Sequence, residues 1–158
     1  MSWSLLIVED DDDIRDGLAS IFAARGLRPY IAGNGAEAVQ VATSRAVKPA
    51  VILLDLVMPI MDGLEFLTHQ AEFPLLAGVP VIVITAQGHL ARELPSTVQA
   101  VLEKPIPLRQ LVTMVQEICS SVVRSGMPAP TVAKGSGGMA ALEPAPPAAD
   151  SPSSDDQD

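Results

Sequence analysis

The hydrophobic pattern of the chain predicts five short strands. The clearest is Val-Ile-Leu-Leu at residues 51–54, because four consecutive apolar residues are too few for a core helix and suit a strand buried on both faces. Each predicted strand is followed by polar or turn-forming residues, which are typical of strand ends. The other four lie at residues 5–8, 29–32, 81–84 and 100–102.

Between the strands, apolar residues recur at helical spacing. Ile14, Leu18 and Phe22 lie on one face of a first helix that ends at Gly26, and we place its N-cap at Asp12. Three further helices are predicted at about residues 34–45, 64–72 and 108–124. Asn34 caps the first of these three, and Pro107 is the expected first residue of the last. Residues 89–99 are weakly helical at best, because Pro95 interrupts them.

Strands that alternate with helices indicate an α/β fold. Right-handed crossovers place the helices on both faces of a parallel sheet, but the pattern alone does not give the strand order. We expect one folded domain at residues 1–125. Residues 126–158 are rich in Pro, Ala, Ser and Asp without apolar periodicity, so we expect a disordered tail there.

The composition narrows the function classes. The formal charge is -9 over 158 residues, and an acidic surface repels phosphate backbones, so direct nucleic-acid binding is not expected. The single Cys119 lies in the apolar stripe of the last helix, which favours a buried thiol and a reducing compartment. No apolar run has the length of a membrane span, so we expect a soluble cytoplasmic protein with no membrane partner.

The candidate chemistry lies where the strands end. Glu9 and Asp10 follow the first strand, Asp55 ends the third, Thr85 ends the fourth and Lys104 follows the fifth. The carboxyl ends of parallel strands lie on one edge of a sheet, so these side chains can converge on one site. Pro59 and the turn pair Asp62-Gly63 keep Asp55 at the mouth of that crevice.

Several carboxylates at one edge repel one another unless a cation lies among them. Oxygen ligands without a nearby Cys or His indicate magnesium. The hydroxyl of Thr85 and the ammonium of Lys104 are donors that suit a phosphoryl group. The combination predicts phosphoryl transfer onto Asp55.

Four motifs in this order resemble the receiver domain of bacterial two-component response regulators. They are Leu-Leu-Ile-Val-Glu-Asp-Asp-Asp-Asp-Ile-Arg from Leu5, Leu-Leu-Asp-Leu-Val-Met-Pro-Ile-Met-Asp-Gly from Leu53, Val-Ile-Val-Ile-Thr-Ala from Val81 and Glu-Lys-Pro from Glu103. The resemblance covers residues 5 to about 124. It implies a flavodoxin-like sheet with strand order 2-1-3-4-5 and a signalling phosphoacceptor rather than an enzyme acting on a separate substrate.

The resemblance also implies the role of each site residue. Asp55 would accept phosphate from a sensor histidine kinase or a histidine phosphotransfer protein, and the signal would pass to an unidentified protein target. Asp10, Asp55 and the Val57 carbonyl would bind Mg2+, with Glu9 assisting through water. Lys104 would pair with the phosphoryl group and precede a cis peptide bond to Pro105, and Thr85 would hydrogen-bond the phosphoryl group.

Two features depart from the family pattern. Val101 stands where the family usually has Tyr or Phe, so the coupling of that ring to the Thr cannot operate here. Thr85 and Lys104 are only 19 positions apart, which predicts a short or irregular fourth crossover and weak or absent dimerisation through it.

Other functions stay open at this point. A pseudo-receiver that acts as a scaffold without phosphorylation is one, and a phosphatase of the haloacid-dehalogenase kind is a second. The phosphatase needs an Asp-x-Asp pair after the first strand, whereas Asp55 is followed by Leu-Val. Taken singly, each marker also has a structural explanation, such as a helix cap at Asp62, and exposed positions for His69 and His89.

Overall fold

All five predicted strands and all four predicted helices are present in the computed structural model, which describes residues 3–124. The strands are β1 (Ser4–Val8), β2 (Arg28–Ala32), β3 (Val51–Leu54), β4 (Val81–Thr85) and β5 (Val98–Glu103). The helices are α1 (Asp12–Ala23), α2 (Gly35–Arg45), α3 (Gly63–His69) and α4 (Leu108–Arg124), and short 3-10 turns lie at Gln70–Glu72 and Gly88–Leu90.

The strands form one parallel sheet in the order β2-β1-β3-β4-β5. This is the flavodoxin-like order that the resemblance implied, and it is confirmed. The central neighbours β1 and β3 pair so that Val8 lies opposite Leu54. The residues that follow these two strands, Glu9 and Asp55, therefore leave the sheet side by side.

A separate hydrophobic cluster covers each face of the sheet. Successive strand residues point to opposite faces, so Leu6 and Val8 pack against α2 and α3, whereas Leu5 and Ile7 pack against α1 and α4. β1, β3 and β4 are buried along their whole length, as expected of parallel strands covered on both faces. Phe66 and Phe22 are fully buried on the two sides, and each stabilises the fold by roughly 2 kcal/mol.

Side-chain caps fix the starts of three helices. Asn34 accepts a hydrogen bond from the Glu37 N–H at 2.9 Å, as predicted. Asp62 accepts one from the Glu65 N–H at 2.8 Å, so its predicted capping role is confirmed. The prediction for α1 was wrong by one residue: its cap is Asp11, which accepts from the Ile14 N–H at 3.1 Å, while Asp12 is already helical. Four consecutive aspartates, Asp10 to Asp13, offered the same capping oxygen, so the sequence could not select between them.

The connection between β4 and β5 has no α-helix. It contains only the turn at Gly88–Leu90, which agrees with the weak helical pattern of this segment. β5 is longer than predicted because it is an edge strand, where exposed residues such as Gln99 alternate with apolar ones and hide the hydrophobic run. Val101 lies on this strand and is exposed.

Two further predictions concern the C-terminal tail and membrane spans. The expected disordered tail at residues 126–158 lies outside the described residues. Within residues 3–124, none of the helices combines the length and apolar character that crossing a membrane requires.

Candidate functional site

The carboxyl ends of four strands bring the predicted site residues to one edge of the sheet. Glu9 follows β1, Asp55 follows β3, Thr85 is the last residue of β4, and Lys104 follows β5. Because β1, β3, β4 and β5 are consecutive neighbours in a parallel sheet, the four positions form a row across it.

Three carboxylates meet at the centre of this row. One carboxylate oxygen from each of Glu9, Asp10 and Asp55 lies within 4.8 Å of the other two. Glu9 is 3% exposed and Asp55 is 5% exposed, whereas Asp10 lies at the exposed rim. Carboxylates at this separation repel one another, and burial of two of them increases the cost.

Lys104 neutralises part of this charge. Its Nζ donates hydrogen bonds to Glu9 Oε2 at 2.9 Å and to Asp55 Oδ2 at 3.0 Å. Its backbone N–H donates to the carbonyl of Thr85 at 2.9 Å, and the Lys104–Pro105 peptide bond is cis, as predicted. The ammonium group of Lys104, which follows the edge strand β5, therefore reaches across β4 to the acids that follow β1 and β3.

The pKa values record the imbalance of charge. Burial raises the pKa of Glu9 to about 7, although hydrogen bonds from Lys104 and from the Asp11 N–H act in the opposite direction, and nearby Asp55 adds to the rise. Burial would lower the pKa of Lys104, but its bonds to Glu9 and Asp55 outweigh that effect and raise it. The site therefore has less positive charge than its acids require.

Backbone contacts hold Asp55 in place. Its N–H donates to the Val8 carbonyl at 3.0 Å, and its Oδ1 accepts from the Val57 N–H at 3.1 Å. Gly63 lies against the same backbone: a Cβ at this position would be 2.3 Å from the Asp55 carbonyl oxygen. The sequence identified Gly63 only as a turn residue, whereas the structure shows that the start of α3 packs directly on the Asp55 backbone.

Thr85 is fully buried, and its hydroxyl accepts a hydrogen bond from the Gln87 N–H at 3.0 Å. Among residues 3–124 no hydrogen bond joins Thr85 to Asp55. The role of Thr85, like that of the Val57 carbonyl as a ligand, stays a prediction.

The donor set suits a hard divalent cation. Glu9, Asp10 and Asp55 can each direct one oxygen at a common point, and only oxygen donors surround it. Mg2+ binds a few carboxylates and keeps several water molecules, so an acid cluster with an exposed rim at Asp10 meets its needs. The residues therefore fit the predicted cation.

Comparison with known proteins identifies the family. The family model described as the response regulator receiver domain matches residues 5–116, which include every residue of the site. The chain belongs to this family.

Relatives and solved structures agree with this assignment of a receiver domain. The chain is 34% identical over 90 residues to the sporulation initiation phosphotransferase F of Bacillus subtilis, covering 57% of this chain and 69% of that one. It matches the signal receiver domain of a histidine kinase from Syntrophus aciditrophicus with a TM-score of 0.68 at 27% identity, covering 78% and 94% of the two chains. It matches response regulator TrrA of Thermotoga maritima, in complex with Mg2+ and BeF, with a TM-score of 0.63 at 25% identity, covering 75% and 99%.

Many relatives are much longer proteins. The chain spans 57% of a probable transcriptional regulator of Porphyra purpurea, 33% of a methylesterase of Methanosarcina mazei and 12% of a sensor kinase of Brucella abortus. The shared part is the receiver domain, a module of two-component phosphorelay systems.

Some predicted features lie away from the site. Cys119 is buried in α4 as predicted, and burial raises its pKa to about 11. His69 is exposed and contacts Glu72, and His89 is exposed in the crossover. Sequence reasoning missed Arg15 of α1, which contacts the backbone of Glu9 at the rim of the site.

Proposed function

We propose that this receiver domain accepts a phosphoryl group on Asp55 with Mg2+ bound beside it, and passes the signal on through protein contacts. The observation that carries the proposal is the position of the Asp55 carboxylate. Its Oδ2 accepts a hydrogen bond from Lys104, and the carboxylate has an oxygen within 4.8 Å of carboxylate oxygens of Glu9 and Asp10. The donor would be a phosphohistidine on a sensor histidine kinase or a histidine phosphotransfer protein.

The chemical step is a displacement at phosphorus. A carboxylate oxygen of Asp55 donates an electron pair and forms the new P–O bond, while the P–N bond of the phosphohistidine breaks. The electron pair of that bond stays on the imidazole nitrogen of the donor, which takes up a proton. The product is an acyl phosphate on Asp55.

The residues around Asp55 supply the conditions that this step needs. Hydrogen bonds from the Val57 N–H and from Lys104 fix the plane of the carboxylate before the donor arrives. Lys104 Nζ offers its positive charge to the oxygens of the transferring group. Thr85 would donate its hydroxyl hydrogen to the same group, while its oxygen can still accept from the Gln87 N–H.

Glu9, Asp10, Asp55 and the carbonyl of Val57 would hold the cation. When bound, Mg2+ supplies positive charge that offsets the charge on the phosphoryl oxygens. The Thermotoga maritima relative was solved with Mg2+ and BeF, and the Bacillus subtilis relative is named a phosphotransferase, and both facts support the proposal.

The proposal also covers the location of the protein, its domain bounds and its downstream target. The protein would be a cytoplasmic signalling module without a separate enzymatic substrate, with the domain at residues 1–125 and a tail at residues 126–158. Its downstream target would be a protein, reached by docking, because the sequence carries a formal charge of -9 and disfavours nucleic acid.

Labelling by a small phosphodonor tests the proposal. The purified chain is incubated with acetyl phosphate in excess Mg2+ or in a chelator, and the mass of the intact protein is measured. We expect one phosphoryl group in Mg2+, and none in the chelator or in the Asp55→Asn variant. Asp62→Asn is the matched control, because Asn also caps a helix, and it should label like the parent.

Two results would contradict the proposal. One is equal labelling of the Asp55→Asn variant and the parent, which would place the phosphoryl group elsewhere. The other is a parent protein that takes up no phosphoryl group from acetyl phosphate or from any histidine kinase of the same cell.

A further inference from the structure

We infer that Arg15 is a positioning residue for the cation site, acting through the loop that carries Glu9 and Asp10. This inference rests on the proposed function, because it concerns how well the acid cluster is arranged for Mg2+. Arg15 does not itself contact the Asp55 carboxylate in any described hydrogen bond or ion pair; its effect passes through the backbone of residue 9.

Arg15 lies across the start of α1 and connects it to the end of β1. Its Nη1 donates to the carbonyl oxygen of Glu9 at 3.4 Å, and its Nη2 pairs with the carboxylate of Asp12. Its Nε lies 3.7 Å from Asp16 Oδ1. One guanidinium group therefore joins the first residue of the loop to the first two turns of the helix that follows the loop.

Arg15 is much less exposed than the acid with which it pairs. Only 17% of the side chain is exposed, and among the described residues its Nε lacks a hydrogen-bond acceptor. Asp12 is 77% exposed, and ion pairs with such exposed acids contribute little. The ion pair with exposed Asp12 therefore does not offset the free energy that the Arg15 guanidinium loses when it leaves water. The hydrogen bond to the Glu9 carbonyl gives the guanidinium a structural role at the loop.

The Arg15 guanidinium also lies near the end of β2. Its Nη1 is 3.4 Å from the position that a Cβ on Gly33 would take, and Glu37 Oε2 is 3.3 Å from the same point. Gly33 follows β2, the strand next to β1, so Arg15 spans the ends of two neighbouring strands.

Contacts on every side hold Glu9. Its N–H donates to the Ala32 carbonyl at 3.0 Å, and its two carboxylate oxygens accept from the Asp11 N–H at 3.2 Å and from Lys104 at 2.9 Å. The bond from Arg15 fixes its carbonyl oxygen, and hence the plane of the peptide that joins Glu9 to Asp10.

Asp10 depends most on that peptide. Within residues 3–124 no hydrogen bond or ion pair holds its side chain, and it is exposed at the rim of the cluster. Its carboxylate can point at the common site only because the backbone directs it there. Rotation of the Glu9–Asp10 peptide would move Asp10 away from Glu9 and Asp55.

The sign of the effect separates this role from simple electrostatics. If Arg15 acts only as a positive charge near the site, its removal must strengthen Mg2+ binding, because a repulsive cation is gone. If Arg15 positions the loop, its removal must weaken Mg2+ binding in spite of the more favourable charge.

The experiment compares Mg2+ dissociation constants of the full chain by calorimetry at fixed ionic strength. We expect Arg15→Ala to weaken binding about tenfold, the lower end of the range for residues that orient metal ligands. Arg15→Lys keeps the charge but lacks the fork that spans Glu9 and Asp12, so it should also bind more weakly than the parent. Arg25→Ala is the matched control, because Arg25 lies just beyond the far end of α1 and the one described hydrogen bond of its side chain goes to the Ile21 carbonyl.

A second readout needs no metal. In the cation-free protein, exchange of the Asp11 amide, which donates to Glu9 Oε1, should be faster in Arg15→Ala than in the parent, while the amides of β1 keep their protection. Arg25→Ala should leave exchange at the Asp11 amide unchanged.

The outcomes distinguish the two levels of the argument. Equal or tighter Mg2+ binding by Arg15→Ala would overturn the inference and leave the proposed function standing. If Arg15→Ala does not fold, Arg15→Lys decides, and a dissociation constant equal to that of the parent overturns the inference. A parent that does not bind Mg2+ overturns the proposed function and this inference together.

Discussion

Replacement of Lys104 by methionine removes the ammonium group that lies between two buried acids. The methionine side chain keeps most of the apolar stem, so the change is mainly one of charge. Lys104 Nζ is 2.9 Å from Glu9 Oε2 and 3.0 Å from Asp55 Oδ2, and neither acid is more than 6% exposed in its side chain. Without Lys104, the two carboxylates face each other with no described cation between them.

The expected loss of stability follows from this geometry. Removal of one partner from a buried ion pair costs about 3 to 5 kcal/mol, because the remaining charge is left uncompensated. Lys104 is 20% exposed, so water can screen part of the repulsion, and we take the lower end, about 3 kcal/mol. For a domain of this size that corresponds to a fall in Tm of roughly 10 °C.

Thermal unfolding in a chelator and in excess Mg2+ measures the effect. We expect Lys104→Met to lose about 10 °C in the chelator and to recover much of it in Mg2+, because a bound cation replaces the missing charge. The double variant Glu9→Gln with Lys104→Met should also recover stability in the chelator. The control is Lys48→Met, which alters an exposed lysine in the loop before β3 and should behave like the parent in both conditions. An unchanged Tm for Lys104→Met in the chelator would refute the account of the charge balance.

Three further predictions concern other parts of the fold. Gly63→Ala should destabilise the protein by at least about 2 kcal/mol, since the added Cβ would be 2.3 Å from a backbone oxygen. Gly17→Ala, in open space within α1, should stabilise it by about 0.5 kcal/mol. Chemical denaturation measures both free energies of unfolding, and equal effects would contradict the packing at Gly63. Ile60 is 81% exposed with φ 68°, so Ile60→Gly should raise the free energy of unfolding by about 1 kcal/mol by removing backbone strain, and a loss of stability would count against it. The thiol of Cys119, with a pKa of about 11, stays protonated at pH 8 and should react with a thiol reagent only after unfolding; rapid labelling of the native protein would disprove its burial.

The sequence predicted most of the site because the chemistry lies at strand ends. Buried parallel strands read as short apolar runs, and a charged residue directly after such a run is conspicuous, as with Asp55 and Lys104. Once the strand order was known, the row of site residues followed from topology. The order itself came from the family resemblance, because alternation of strands and helices fits several arrangements.

Features that depend on precise contacts were less visible. Four aspartates in succession hid which one caps α1, since each offered the same carboxylate oxygen at nearly the same position. Gly63 looked like an ordinary turn residue because the close approach of the Asp55 backbone is a tertiary contact. Arg15 belongs to a quoted motif, but its burial depends on how α1 packs beside the ends of β1 and β2, which the motif does not encode.

The two alternative functions are a haloacid-dehalogenase-like phosphatase and a pseudo-receiver scaffold. Membership of the receiver domain family removes the haloacid-dehalogenase alternative, and Asp55 is followed by Leu-Val rather than by the second Asp that such a nucleophile requires. A pseudo-receiver would keep the fold without the chemistry. The like charges of Asp55 and Glu9, which are buried against the one ammonium group of Lys104, would destabilise such a scaffold without serving it.

Identification of the phosphorylated residue tests the central claim most directly. After treatment with acetyl phosphate and Mg2+, borohydride reduces an acyl phosphate of aspartate to homoserine, and peptide mass spectrometry locates the altered residue. The account predicts homoserine at position 55 alone, and only when Mg2+ is present during phosphorylation. Homoserine at any other aspartate, or at position 55 without a divalent cation, would contradict it.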